Sequence, residues 1–124
     1  MAKRVVIVED DHIQSIALKL LLGKTGYSPA AICTSGASAI KNILKEKPDL
    51  IVSDIYLSDD VDGIAVAHAI RKEMDTPIIF ITGQSRYEFG QRIESFENCD
   101  LLGKPVTLDE LQRAVSRVMC GNKS

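Results

Sequence analysis

Three short runs set the limits on the fold. "RVVIV" (Arg4 to Val8), "DLIVS" (Asp49 to Ser53) and "PIIFIT" (Pro77 to Thr82) are apolar at nearly every position rather than every second one. A strand with one face in water alternates, whereas a strand covered on both faces does not. The runs therefore predict central strands of a parallel sheet with helices on either side. "YSPAAI" (Tyr27 to Ile32) and "CDLLG" (Cys99 to Gly103) are weaker strands. Pro29 has no N–H to give to a ladder, which places the first of them at an edge or a strand start.

Helical spacing fills the intervals. Ile13, Ile16, Ala17, Leu20 and Leu21 make one stripe, and Leu108, Leu111, Val115, Val118 and Met119 another, each predicted to be buried. Asp11 with Gln14 and Thr107 with Glu110 have the spacing of N-terminal capping pairs, and Gly23 and Gly26 mark the end of the first helix. Further helices are expected over 35–45, 62–73 and 86–96. Five strands alternating with five helices predict an α/β fold, a doubly wound parallel sheet with helices on both faces and ligands at the carboxyl ends of the strands. The 124 residues suffice for one such domain, 1–124, with no linker, repeat or room for a second.

Composition narrows the partners. With 26% charged residues and a net charge of −2, neither nucleic acid nor an acidic membrane is expected as a partner. The N-terminus lacks the apolar core of a signal peptide, and no run approaches the roughly 18 apolar residues of a spanning helix, so a cytoplasmic protein is expected. Cys33, Cys99 and Cys120 are odd in number and far apart, and are read as free thiols rather than a disulfide framework or a zinc site.

The first strand runs straight into Glu9, Asp10 and Asp11, and the third ends at Asp54 in "LIVSDIYL". Asp11 is read as a helix cap. Glu9, Asp10 and Asp54 would meet in one strand-end crevice, where gathered carboxylates raise their pKa values or cost stability unless a cation joins them. Magnesium suits the set, because it uses few carboxylates, keeps several waters and accepts phosphate oxygens. Thr82 closes the fourth strand with a hydroxyl, and Lys104 follows the fifth with an ammonium. An ionised Asp54 needs no general base to attack phosphorus, since positioning and charge neutralisation carry most of phosphoryl transfer. These residues point to an aspartyl phosphate formed on Asp54.

In this order, Glu9-Asp10, Asp54, Thr82 and Lys104-Pro105 at the ends of strands one, three, four and five resemble the receiver domain of two-component response regulators, the CheY-like superfamily. The resemblance covers essentially the whole chain. It implies a flavodoxin-like strand order 2-1-3-4-5 and a magnesium ion held by Glu9, Asp10, Asp54 and the backbone carbonyl of Tyr56. It also implies phosphotransfer to Asp54 from a sensor histidine kinase, with Thr82 and Lys104 completing the catalytic set, and a cis peptide before Pro105. The expectation is a single-domain response regulator of a phosphorelay, not an enzyme beyond its own phosphorylation and dephosphorylation. Such a protein signals through phosphorylation-dependent contacts with a downstream protein or acts as a phosphate sink.

Three departures from the family pattern stand out. Leu101 occupies the position three residues before the lysine where receivers usually carry Tyr or Phe, and Val106 follows Lys-Pro where an aromatic is common. The usual aromatic switch is thus absent. The loop "LSDDVDG" is one residue longer than the commonest receiver loop and lacks its proline, leaving Ser58 to Asp62 as an acidic rim. "PIIFITG" resembles the receiver subgroup with Phe-Ala-Thr-Gly in strand four, with Ile81 in place of the alanine. Without the aromatic, the moving element is expected to be the segment from Gly83 to Phe96, displaying Tyr87 and Phe89 to a partner.

Two alternatives share these residues. A non-phosphorylated receiver-like binding module would keep the acids only as caps, and a small magnesium-dependent phosphohydrolase would turn over external phosphomonoesters. "GKT" at Gly23 to Thr25 ends a helix rather than opening one, and "DVDG" at Asp60 to Gly63 lacks the first and last ligands of a calcium loop. His12 and His68 are unpaired and read as solvated or packed.

Overall fold

The computed structural model describes residues 3–57, 59–83, 93 and 96–119. Strands β1 (Lys3–Val8), β2 (Tyr27–Cys33), β3 (Leu50–Asp54), β4 (Ile78–Thr82) and β5 (Cys99–Gly103) form one parallel sheet in the order β2-β1-β3-β4-β5. The three strongly apolar runs are therefore its centre and the two weaker ones its edges. Pro29 lies on the edge strand, opposite Val5, where the register shifts between Val5 and Val6. Helices α1 (His12–Lys24), α2 (Gly36–Glu46), α3 (Gly63–Arg71) and α4 (Leu108–Met119) cover the sheet. The helix expected over 86–96 lies outside the described residues except for Ile93 and Phe96, and Tyr87 and Phe89 lie outside them too.

Both faces are covered, which explains why the central strands do not alternate. Val6, Val8, Ile51, Ile78, Phe80 and Leu101 pack with Ala39 and Ile43 of α2 and with Ile64, Ala67 and Ile70 of α3. Val5, Ile7, Leu50, Val52, Ile79, Ile81 and Leu102 pack with Leu18 and Leu22 of α1 and with Leu111, Ala114 and Val118 of α4. Leu101 is buried and lies opposite Phe80 in the ladder, in one cluster with Ile93 and Phe96.

Local signals placed most boundaries. Asp11 accepts the Gln14 N–H at 3.0 Å and caps α1. Thr107 and Glu110 form a reciprocal capping box, with the Glu110 N–H donating to Thr107 Oγ1 at 3.2 Å and the Thr107 N–H to Glu110 Oε1 at 3.3 Å. Ser35 and Asp62 cap α2 and α3. Helix α1 runs through Gly23 to Lys24, so the expected stop belongs to Gly26, and α3 ends at Arg71, before the expected 73.

The expected buried stripe of α1 is corrected. Ser15, Leu18 and Leu22 face the sheet, while Ile13, Ile16 and Leu20 are 79%, 46% and 63% exposed and Ala17 is exposed as well. Apolar residues surround this helix, so their spacing alone allows more than one inward face. The approach from β1 through the Asp11 cap selects the face. Ser15 tolerates burial because its hydroxyl donates to the His12 carbonyl at 2.8 Å. Among the described residues, no helix is long and apolar enough to cross a membrane.

Candidate functional site

Parallel pairing brings the carboxyl ends of β1, β3, β4 and β5 to one edge of the sheet, and four of the predicted residues arrive with them. Glu9 follows β1, Asp54 ends β3, Thr82 ends β4, and Lys104 follows β5. Glu9 and Asp54 are buried at 1% and 5% exposure, whereas Asp10 is exposed. One oxygen from each of Glu9, Asp10 and Asp54 can be chosen so that all three lie within 4.8 Å of one another. The three acids meet as the sequence predicted.

Lysine and backbone orient them. Lys104 Nζ donates to Asp54 Oδ2 at 2.8 Å and stands 3.2 Å from Glu9 Oε1. The Tyr56 N–H donates to Asp54 Oδ1 at 3.2 Å, and the Asp11 N–H to Glu9 Oε2 at 3.2 Å. Glu9 Oε1 is buried and, although close to the ammonium, lacks a hydrogen bond of acceptable geometry among the described residues. Burial pushes the Glu9 carboxyl up to about 7, reinforced by the Asp54 charge and opposed by the Asp11 N–H and Lys104. Burial alone would lower the Lys104 ammonium, but the hydrogen bond and charge of Asp54, then Glu9, raise it above its usual value.

Thr82 is fully buried, and its carbonyl accepts the Lys104 N–H at 2.8 Å, which ties the hydroxyl-bearing and ammonium-bearing strand ends together. The Lys104-Pro105 peptide is cis, as the resemblance implied. Tyr56 is half-exposed beside Asp54. Its backbone N–H, rather than its ring, makes the contact described above.

The residues present fit a hard divalent cation. Three carboxylates gather where the ammonium of Lys104 reaches only Glu9 and Asp54, the buried Glu9 Oε1 has an ion pair but no hydrogen bond among the described residues, and the candidate ligand atoms are all oxygens. Magnesium prefers such a set.

The acidic rim is largely reassigned. Asp62 caps α3, its Oδ1 accepting the Ala65 N–H at 2.8 Å. Asp59 reaches α2, its Oδ1 accepting the Gly36 N–H at 3.0 Å and its Oδ2 the Ala37 N–H at 3.1 Å. These two amides hold the Asp59 carboxyl below its ordinary range. No local signal pointed to this contact, because Gly36 lies 23 residues away in sequence. Asp60 is exposed, and Ser58 lies outside the described residues.

On the other side of the acids, an open groove of about 440 Å³ runs between α1 and the segment after β5, lined by Gln14, Ala17, Leu21, Lys104, Pro105 and Val106. The remaining candidates stay apart from the site. His12 is exposed, and His68 packs in a tilted arrangement against Phe96, with ring centroids 4.8 Å apart and planes 52° from parallel. Cys33 and Cys99 are free thiols, both pushed up by burial, and Cys120 lies outside the described residues.

A sequence profile of the response regulator receiver domain matches residues 5–116, and the chain belongs to that family. Among curated relatives, the two-component response regulator ORR25 of rice (Oryza sativa subsp. japonica) is 32% identical over 112 residues, covering 88% of this chain and 16% of its own length. The transcriptional regulatory protein KdpE of Staphylococcus aureus is 32% identical over 123 residues, covering 95% of this chain and 52% of its own. The chain thus spans between a sixth and about half of these relatives. The receiver domain of a modulated diguanylate cyclase from Desulfovibrio desulfuricans superposes with a TM-score of 0.85 at 30% identity, covering 97% of this chain and 95% of that one. A receiver protein from Sinorhizobium medicae gives 0.83 at 28% identity, with 98% of each chain covered.

Proposed function

We propose that Asp54 accepts a phosphoryl group from a phosphohistidine of a sensor histidine kinase, and that a downstream protein reads the modified surface. An Asp54 carboxylate oxygen attacks phosphorus, the bond from phosphorus to the imidazole nitrogen breaks, and the imidazole, already protonated on its other ring nitrogen, takes the bonding electron pair and leaves neutral. Hydrolysis of the resulting acyl phosphate restores the carboxylate. Glu9, Asp10, Asp54 and the Tyr56 carbonyl would hold magnesium, which when bound supplies positive charge against the phosphoryl oxygens.

The chain's own groups do the rest. Lys104, within hydrogen-bond reach of Asp54, neutralises charge on the transferring group, and the Thr82 hydroxyl offers a donor from the next strand end. The exposed Ile13, Ile16 and Leu20 of α1, together with the adjoining groove, suit an apolar helical surface on the donor protein, set directly after the Glu9-Asp10 pair. The observation that carries the reading is the hydrogen bond and ion pair from Lys104 to Asp54 inside a cluster of carboxylates.

Incubation with magnesium and acetyl phosphate, followed by intact mass, tests it. The wild type should gain one phosphoryl group and Asp54→Asn none. Equal labelling of the two would remove Asp54 from the role.

A further inference from the structure

The connection between β3 and α3 carries the Tyr56 carbonyl, and several contacts fasten it. At its start, the Ile55 N–H donates to the Ile81 carbonyl at 3.0 Å and the Tyr56 N–H to Asp54. At its end, the Gly63 N–H donates to the Ile55 carbonyl at 2.7 Å, with Gly63 so close to β3 that an added Cβ would lie 2.2 Å from the Asp54 carbonyl oxygen. Its middle is held from a different element. Asp59 takes both amides that open α2, and a Cβ on Gly36 would lie 2.0 Å from the Val61 carbonyl oxygen and 2.7 Å from the Val61 Cβ.

We propose that Asp59 is a positioning residue for the phosphoryl site: by anchoring the connection to the N-terminus of α2, it fixes the Tyr56 carbonyl for magnesium. The inference rests on the reading of Asp54 as a magnesium-dependent acceptor. Three features argue for it. Magnesium demands near-ideal octahedral geometry, so a ligand on a loop that drifts by a few tenths of an ångström binds poorly. The connection, residues 55–62, contains no proline, so its stiffness must come from the contacts it makes. A carboxylate at a helix N-terminus supplies it, since both oxygens accept amides there and the helix dipole favours negative charge. The close seating of Gly36 on Val61 then gives the anchor a definite position as well as an attachment.

The test measures magnesium affinity, acetyl phosphate labelling rate and melting temperature on the full chain. Asp59→Ala should weaken magnesium binding on the order of tenfold, as loss of a residue that orients a metal ligand typically does. Labelling should slow in step and recover at saturating magnesium, a recovery that simple destabilisation would not give. Asp59→Asn keeps one acceptor but loses the charge, and should fall between Ala and wild type. Gly36→Ala displaces Val61 with the carboxylate intact and should also weaken magnesium. Wild-type magnesium affinity in Asp59→Ala, despite a lowered melting temperature, would reduce Asp59 to a helix cap and overturn the proposal. If the Ala variant does not fold, unchanged affinity in Asp59→Asn and Gly36→Ala has the same meaning. A wild type that neither binds magnesium nor labels on Asp54 would instead overturn the reading underneath.

Discussion

Helices α1 and α4 lie on the same face of the sheet and share one cluster of buried side chains, yet they use their apolar residues differently. Helix α4 buries Leu111, Ala114 and Val118, half-buries Val115 and Met119, and turns Asp109, Glu110, Arg113 and Arg117 to solvent. Helix α1 buries Leu18 and Leu22 but leaves Ile13, Ile16 and Leu20 outside. Both contribute to the core. The difference is that α1 begins at His12, just past Glu9 and Asp10, and borders the groove beside Lys104, so its outward apolar face lies next to the acidic cluster, where the proposed phosphoryl donor would approach. The outer face of α4 carries charge instead, including an Arg113–Asp109 pair one turn apart at 3.0 Å, which as an exposed pair adds only a few tenths of a kcal/mol.

The comparison breaks first at the buried positions. Leu111 in α4 and Leu22 in α1 are both fully buried. Leu111→Ala and Leu22→Ala should each lose about 2 to 5 kcal/mol in urea unfolding, because a cavity adds to the lost transfer energy. If Leu22→Ala proved nearly neutral, α1 would be a docked accessory and not a core element.

A smaller effect belongs to the acid entering α1. Glu9 has its folded value raised to about 7 from an ordinary 4.5. Below the lower value both states are protonated, between the two only the unfolded chain ionises, and above the upper value both are ionised. The unfolded state therefore binds fewer protons in that window, and stability of the magnesium-free protein should fall as pH rises from about 4.5 to 7, by at most about 3 kcal/mol. Magnesium should flatten this fall, since a metal ligand must be ionised. Chemical unfolding at a series of pH values, with and without magnesium, checks both statements. A rise in metal-free stability across the window would show that Lys104 outweighs burial.

The smallest change in stability is expected on the outer face of α1. Leu20→Gln and Ile16→Gln should stay within about 0.5 kcal/mol of wild type, as exposed helical positions do. Labelling by acetyl phosphate should be unaffected, while phosphotransfer from a histidine-phosphorylated kinase should slow. Equal transfer rates for wild type and both variants would leave the exposed stripe without a partner role.

The sequence by itself determined what local periodicity and covalent order can carry. Strands covered on both faces announced themselves through unbroken apolar runs, and the parallel fold that follows places Glu9, Asp54, Thr82 and Lys104 at neighbouring strand ends. Helix starts were legible because a cap bonds to amides within the next three residues, as Asp11, Ser35, Asp62 and Thr107 do. Only the tertiary structure decided which side of α1 turns inward, because that helix is apolar on more than one face and the direction of approach makes the choice. It alone joined Asp59 to Gly36 across 23 residues, and it alone raised the proton affinity of Glu9. The first is a contact between segments that no local pattern links. The second depends on how completely neighbouring strand ends exclude water from one carboxylate, a quantity that arises only when those ends are brought together.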